Sequence, residues 1–252
     1  MLSGIDLNCD LGEQEGSEGE LLDLRLLPLV TCVNAACGGH AGNLQRLQVI
    51  ARQCRQQNIT FGAHPSYPDR AGFGRVELSL DRRVLRDSLT VLFRISALAA
   101  EHVGIAVGRV KPHGALYHAV CERRELAELL LEVVREELPG TAVCGRAGSL
   151  LPELAESYGL RGVREAFGDR GVDAAGRLLP RGSAGAVLRD PAVVAERVLR
   201  LVQQRRLKSA CGVELCVEAD SVCIHSDTPE AEQLLLAVRR GLEAGGVRIR
   251  SC

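Results

Sequence analysis

Short apolar runs alternate with amphipathic stretches along the whole chain. Seven such runs, at 5–9, 30–35, 59–63, 105–111, 141–144, 162–166 and 221–225, are rich in small or branched residues. Their length and composition predict strands buried on both faces. Between them, apolar residues recur at helical spacing. In 43–57, Leu44, Leu47, Ile50, Ala51 and Cys54 share one face. The segments 81–102, 121–138, 190–207 and 228–243 read as helices on the same pattern. Asp190 followed by Pro191, and Thr228 followed by Pro229, mark helix starts.

Alternation of strand and helix, with no Pro/Gly/Ser linker and no internal repeat, predicts one α/β domain over residues 1–252, built on a parallel sheet. Two segments depart from the rhythm. Residues 167–187 are rich in Gly and Arg and aperiodic, and are expected to form a long excursion over the surface or active site. Residues 213–217 are expected to pair with 221–225 as a hairpin. A further strand at 247–250 is compatible with the pattern.

Composition narrows the function. The formal net charge is −1, which argues against a nucleic-acid coat or a polybasic membrane binder. Aromatic residues are 3% of the chain, with no Trp, so stacking platforms for bases or sugars are few. No apolar run approaches the ~20 residues of a membrane span. Residues 1–10 lack the basic and apolar regions of a signal peptide, so none is expected. Ten cysteines are spread without a C-x-x-C pair, which suits buried thiols in a reducing cytoplasm. Only two cations are lysines, Lys111 and Lys208, among 31 Lys and Arg.

Polar residues gather just after the apolar runs: Asn8, Asp10 and Glu13; Asn34 and His40; His64 and Asp69; Lys111, His113, Tyr117 and His118; Glu165, Asp169 and Arg170; His225 and Asp227. In a parallel barrel all strand C-terminal ends meet at one face, so these groups would converge. Five of the six histidines lie in these segments. Asp10, His40 and His64 are candidate ligands of a divalent metal such as Zn²⁺, Mn²⁺ or Fe²⁺; the histidines serve equally as metal-free acid–base groups. Lys111 at a buried strand end needs an anion. It either binds a substrate carboxylate, phosphate or oxyanion, or pairs with Asp10 or Glu165. There is no Walker A loop, no G-x-G-x-x-G after a strand and no G-x-S-x-G elbow. Cys9 and Cys37 lie near the expected site but read as core thiols rather than nucleophiles.

The strings DLNCDLGE, NAACGGHAG, GAHPSYPDRAGFGR, VKPHGALYH, EAFGDR, LLPRGSAGA and CIHSDTP resemble, in order, the LamB/YcsF lactam-utilisation family. The resemblance runs from about Asp6 to Thr228. It implies an irregular, TIM-like (β/α)7 barrel similar to the glycoside hydrolase/deacetylase superfamily. It also implies ATP-dependent opening of 5-oxo-L-proline (pyroglutamate) to L-glutamate, carried out in the cytoplasm with 5-oxoprolinase subunits B and C.

With that chemistry, ATP is a co-substrate expected to be bound mainly by the partner subunits. Asp10 or Glu13 is the candidate base, His113 the donor to the leaving nitrogen, and Lys111 a catalytic cation. Asn8, Asn34, Arg75, Tyr117, Asp169 and Arg170 are the candidate substrate-binding residues. The chain departs from the family at Gly39 (usually Phe), Asn43 (usually Asp), Val172 (usually Tyr) and Ser226 (usually Gly). Loss of the rings at Gly39 and Val172 is expected to reshape the pocket. The alternatives are a stand-alone metal-dependent deacetylase or amidohydrolase, and a non-catalytic substrate-binding subunit.

Overall fold

The computed structural model describes residues 4–252; residues 1–3, part of the segment read as carrying no signal peptide, lie outside them. Strands β1 (Asp6–Leu11), β2 (Cys32–Ala36), β3 (Thr60–His64), β4 (Arg109–Val110), β5 (Ala142–Arg146) and β6 (Gly162–Phe167) pair in parallel, each with the next. An antiparallel ribbon, β7 (Arg206–Lys208) with β8 (Glu214–Cys216), then stands apart. Strand β9 (Ser221–Cys223) pairs with both β6 and β1 and closes a seven-stranded barrel. Residue Ile249 makes only an isolated bridge to Ile5, so 247–250 adds no eighth barrel strand.

The helices are α1 (Gly16–Leu26), α2 (Leu44–Gln57), α3 (Arg82–His102), α4 (Gly114–Glu122), α5 (Arg124–Glu137), α6 (Leu150–Ser157), α7 (Pro191–Gln204) and α8 (Ala231–Ala244). Side-chain caps fix three starts: Asn43 accepts from the Arg46 amide, Asp81 from Arg83, and Asp190 from Ala192 and Val193. Asn43 thus keeps the capping role that an aspartate would have.

Three expectations need correction. The hairpin partner of 213–217 is Arg206–Lys208, not 221–225. Ser221, Val222 and Cys223 are fully buried and already paired on both sides. Helix α7 stops at Gln204 because Arg205 takes a left-handed conformation (φ 56°), releasing 206–208 to the ribbon. Helix α8 starts at Ala231, not Thr228, whose hydroxyl instead donates to Asp169. Helices α1, α4 and α6 have no counterpart among the expected helices.

Strand β1 reads Asp-Leu-Asn-Cys-Asp-Leu, and all six residues are buried. Leu7, Cys9 and Leu11 join the apolar cluster shared with the helices. Asp6, Asn8 and Asp10 alternate with them, as the twofold strand period requires, and bond across the barrel interior. The lumen is therefore a stack of paired charges rather than layers of branched aliphatics.

At its lower end Arg109 Nη1 donates to Asp6 Oδ2 at 2.6 Å, with both side chains essentially buried. Thr31 and Ser221 also donate to Asp6. Removing one partner of a buried pair strands the other charge, costing about 3–5 kcal/mol, whereas exposed pairs contribute at most about 1 kcal/mol. Urea unfolding should therefore show a loss of that larger size for Asp6→Ala. Arg82→Ala, on the surface Arg82–Glu132 pair, should show the smaller one. Equal losses would contradict the layered-charge description.

Candidate active site

The C-terminal ends of the strands open into a cavity of about 500 Å³ whose lining includes Asp10, Glu13, His64, Lys111, His113 and His225. Beneath it, the Lys111 ammonium is bracketed by two carboxylates, Asp10 Oδ1 and Glu165 Oε1, each at 2.9 Å. Both ion-pair partners foreseen for this lysine are thus engaged at once. Asn8 Nδ2 donates to Glu165 Oε1 (2.9 Å), and Asn34 Nδ2 donates to Asn8 Oδ1 and Asp10 Oδ1, each at 2.8 Å. Tyr117 OH donates to Glu165 Oε2 at 2.8 Å. Burial opposes the charge on Lys111, yet Asp10, Cys223 and Glu165 hold its pKa well above the ordinary value. Burial likewise opposes the charge on Asp10, but His64 and Lys111 hold it well below the usual range. Asn8 and Asn34 are fully buried in this network, so they support the cavity floor from below.

Above the network, Glu13, His40, His64 and His113 bring ligand atoms within 4.8 Å of one another and can hold a metal ion. Two turns place them. Gly12 (φ +76°) folds Glu13 back over the barrel mouth. Gly114 (φ +55°) packs where a Cβ would lie 2.4 Å from the Gly74 carbonyl oxygen, which seats His113 at the start of α4. Glu13 Oε1 lies 3.1 Å from His40 Nε2, 3.1 Å from His113 Nδ1 and 3.6 Å from His64 Nε2.

Hydrogen bonds assign the imidazole protons. His64 Nδ1 donates to the Lys111 carbonyl (2.6 Å) and His113 Nε2 to the Phe73 carbonyl (3.0 Å). The lone pairs of His64 Nε2 and His113 Nδ1 then face each other at 3.1 Å, a repulsive arrangement unless a positive centre lies between them. Burial drives His40 down to about 4 and lowers His113, so both stay neutral. Burial also acts against charge on His64, but the Asp10 carboxylate, 3.5 Å away, raises it. The positive centre is thus either a proton on His64 or a bound cation. Four of the six donor separations, 3.1 to 3.6 Å, bracket the edge of a tetrahedron of N/O ligands around Zn²⁺, about 3.3 Å.

Sequence reasoning grouped His40 and His64 with Asp10. The structure gathers them with Glu13 and His113; Asp10 Oδ1 is taken by Lys111 and Asn34, while its Oδ2 lies 3.5 Å from His64 Nε2.

The remaining candidates fall into three places. Arg170 donates to the Ala186 and Leu179 carbonyls and so ties down the 167–187 excursion. Arg75 and Arg181, from separate loops, share Asp227 at 2.7 and 2.8 Å at the cavity mouth. Asp169 is buried and accepts from His225 and Thr228. His118, expected in a loop, sits in α4 and lines the cavity. Gly39 and Val172, where loss of a ring is expected to reshape the pocket, lie off the cavity lining. A Cβ at Gly39 would already meet Ser66 Oγ at 2.4 Å, and Val172 is buried.

Comparison with known proteins agrees with this architecture. The family model for the LamB/YcsF family matches residues 5–252. The chain is 40% identical over 253 residues to a 5-oxoprolinase A-type subunit of Pseudomonas syringae pv. tomato, covering 99% of this chain and 97% of that protein. The crystal structure of a lactam utilization protein from Thermus thermophilus superimposes with a TM-score of 0.90 at 35% identity, covering 99% of this chain and 100% of that one. A polysaccharide deacetylase from Bacillus cereus shares the fold at 10% identity, with a TM-score of 0.50 and coverage of 99% and 92%. With its strand order, its site strings and these likenesses in agreement, the chain belongs to the LamB/YcsF family.

Proposed function

We propose that this chain opens the lactam ring of 5-oxo-L-proline to give L-glutamate, acting with 5-oxoprolinase subunits B and C that bind ATP and activate the substrate. The observation that carries this reading is the Glu13, His40, His64 and His113 cluster at the cavity floor. Hydrolysis of an unstrained five-membered lactam is unfavourable, so coupling to ATP supplies the driving force. Phosphorylation of the amide oxygen by a partner would give a species that water can attack. The ten cysteines are all free thiols, which suits a reducing cytoplasm. Among the described residues no helix is long and apolar enough to cross a membrane.

Each side chain then has a defined task. Glu13, whose carboxyl is held low by the adjoining His113 and His40 rings despite its burial, accepts the proton of the attacking water. Arg75 and Arg181 at the mouth take the anionic groups of the substrate. Lys111 and Asp10 hold the floor in place. Arg170, which lines the cavity, also ties the excursion that covers it. A divalent ion in the Glu13, His40, His64 and His113 set would lower the pKa of a water and polarise the carbonyl.

Glutamate formation from 5-oxo-L-proline and ATP should appear when this chain and both partner subunits are combined, and not with this chain alone or the partners alone. Robust release by this chain alone would overturn the division of labour, and chelator-sensitive release would favour the stand-alone deacetylase or amidohydrolase.

A second measurement addresses the ion. Titration with Zn²⁺ or Mn²⁺ should show one site per chain, and at 100 times Kd the ion should add about 2.7 kcal/mol of stability. Affinity should fall on acidification, as protons compete for the imidazoles. His64→Gln and His113→Gln should lose the stabilisation. Wild-type protein that binds no ion, or variants that bind equally well, would remove metal from the account.

A further inference from the structure

The nitrogen released when a lactam opens must take up a proton. His113, the donor suggested by sequence, has both nitrogens engaged: Nε2 with the Phe73 carbonyl at 3.0 Å, and Nδ1 with Glu13 and His64, each at 3.1 Å. His225, which follows β9 and also lines the cavity, has the complementary arrangement. Its Nδ1 lies 3.1 and 3.2 Å from the two oxygens of Asp169, and its backbone amide donates to the same carboxylate at 3.2 Å. Thr228 anchors Asp169 from the other side. The ring stacks on Phe167 with centroids 5.5 Å apart and planes 12° from parallel. Burial opposes the Asp169 charge, yet His225 and Thr228 hold its pKa below the ordinary value. These contacts fix the ring plane and keep a proton on Nδ1. Nε2 makes no hydrogen bond to the described residues.

We propose that His225 is the catalytic proton donor to the leaving nitrogen, with Asp169 as its positioning residue. The assignment rests on the lactam-opening reading above. Water adds to the ring carbon of the O-phosphorylated lactam and gives a proton to Glu13, while the C=N π pair moves to nitrogen, which takes a proton from His225 Nε2; Glu13 returns its proton to His225 through solvent. As the ring C–N bond then breaks, its electron pair stays on nitrogen, which takes a second proton from His225 Nε2, and the new hydroxyl gives its proton to Glu13 as the carbonyl forms, leaving an amine and an acyl phosphate. A second water cleaves the acyl phosphate, so one lactam, one ATP and two waters give glutamate, ADP and inorganic phosphate. The Asp169 carboxylate stabilises the imidazolium before transfer and its tautomer after it, as expected of a buried carboxylate behind a catalytic histidine.

Other charged groups lie around His225. Asp10 and Cys223 present atoms within 4.8 Å of it and of one another. The Lys111 ammonium occupies the space between those two, 2.9 Å from Asp10 Oδ1 and 3.2 Å from Cys223 Sγ, which leaves no room for a second cation. Lys111 also sits 5.6 Å from the centroid of Phe167, the ring on which His225 stacks. Asp227 is neutralised by Arg75 and Arg181.

The test uses the full three-subunit mixture with 5-oxo-L-proline and ATP. His225→Gln should lower kcat for glutamate by about 10²–10³-fold, within the range of a lost general acid, with KM little changed. His225→Ala should regain activity with added imidazole. Asp169→Asn should lower kcat, and imidazole should not restore it. In the wild-type chain, ¹⁵N NMR should find the neutral His225 ring protonated at Nδ1. Wild-type kcat in His225→Gln, no imidazole rescue of His225→Ala, or an Nε2–H tautomer each overturns the assignment. Absence of glutamate from the wild-type mixture instead removes the lactam-opening reading, and the donor role with it.

Discussion

A single buried ammonium organises the upper barrel. Lys111 lies between Asp10 and Glu165 with its side chain almost wholly removed from water. Its ammonium offsets the cost of burying both carboxylates, because an isolated buried charge costs several kcal/mol. Asn8, Asn34 and Tyr117 complete the remaining hydrogen bonds. The strands that carry these residues are consequently pinned to one another through the lumen as well as along their ladders.

The cavity chemistry follows from that arrangement. Asp10, held by Lys111, presents its other oxygen to His64 and raises it. His64 meets His113 lone pair to lone pair, and Glu13 closes the group. His40 stacks on His113 at 3.7 Å, so burial keeps both rings neutral and available as donors of electron pairs. Across the cavity, Asp169 orients His225 with its second nitrogen free. In the proposed reaction one side of the cavity accepts a proton and the other supplies one, as hydrolysis of an amide demands.

Much of the fold was legible because each barrel strand is a short apolar run followed by a polar residue. Even β4, two residues long, stands within a readable run at 105–111. Legibility failed where a backbone conformation decided the outcome. Arg205 in a left-handed conformation ends α7 and releases the ribbon strand. Gly12 and Gly114 bring Glu13 and His113 to His40 and His64, with Asp10 beside His64. The residue types needed at the site were visible in the chain, but their grouping was not. Arg170 shows the same limit: its charge suggested a substrate contact, but only the structure shows that it lines the cavity and also donates to the carbonyls of Leu179 and Ala186. His225 could have been singled out earlier, since it follows the closing strand in CIHSD, but its carboxylate partner lies 56 residues away.

The most direct test of this account is urea unfolding of Lys111→Met, alone and combined with Glu165→Gln. The single substitution should lose about 3–5 kcal/mol, because two buried carboxylates lose their cation. The added Glu165→Gln should give part of that back by removing one of the stranded charges. A Lys111→Met protein as stable as wild type would contradict the claim that this ion triad holds the floor of the site.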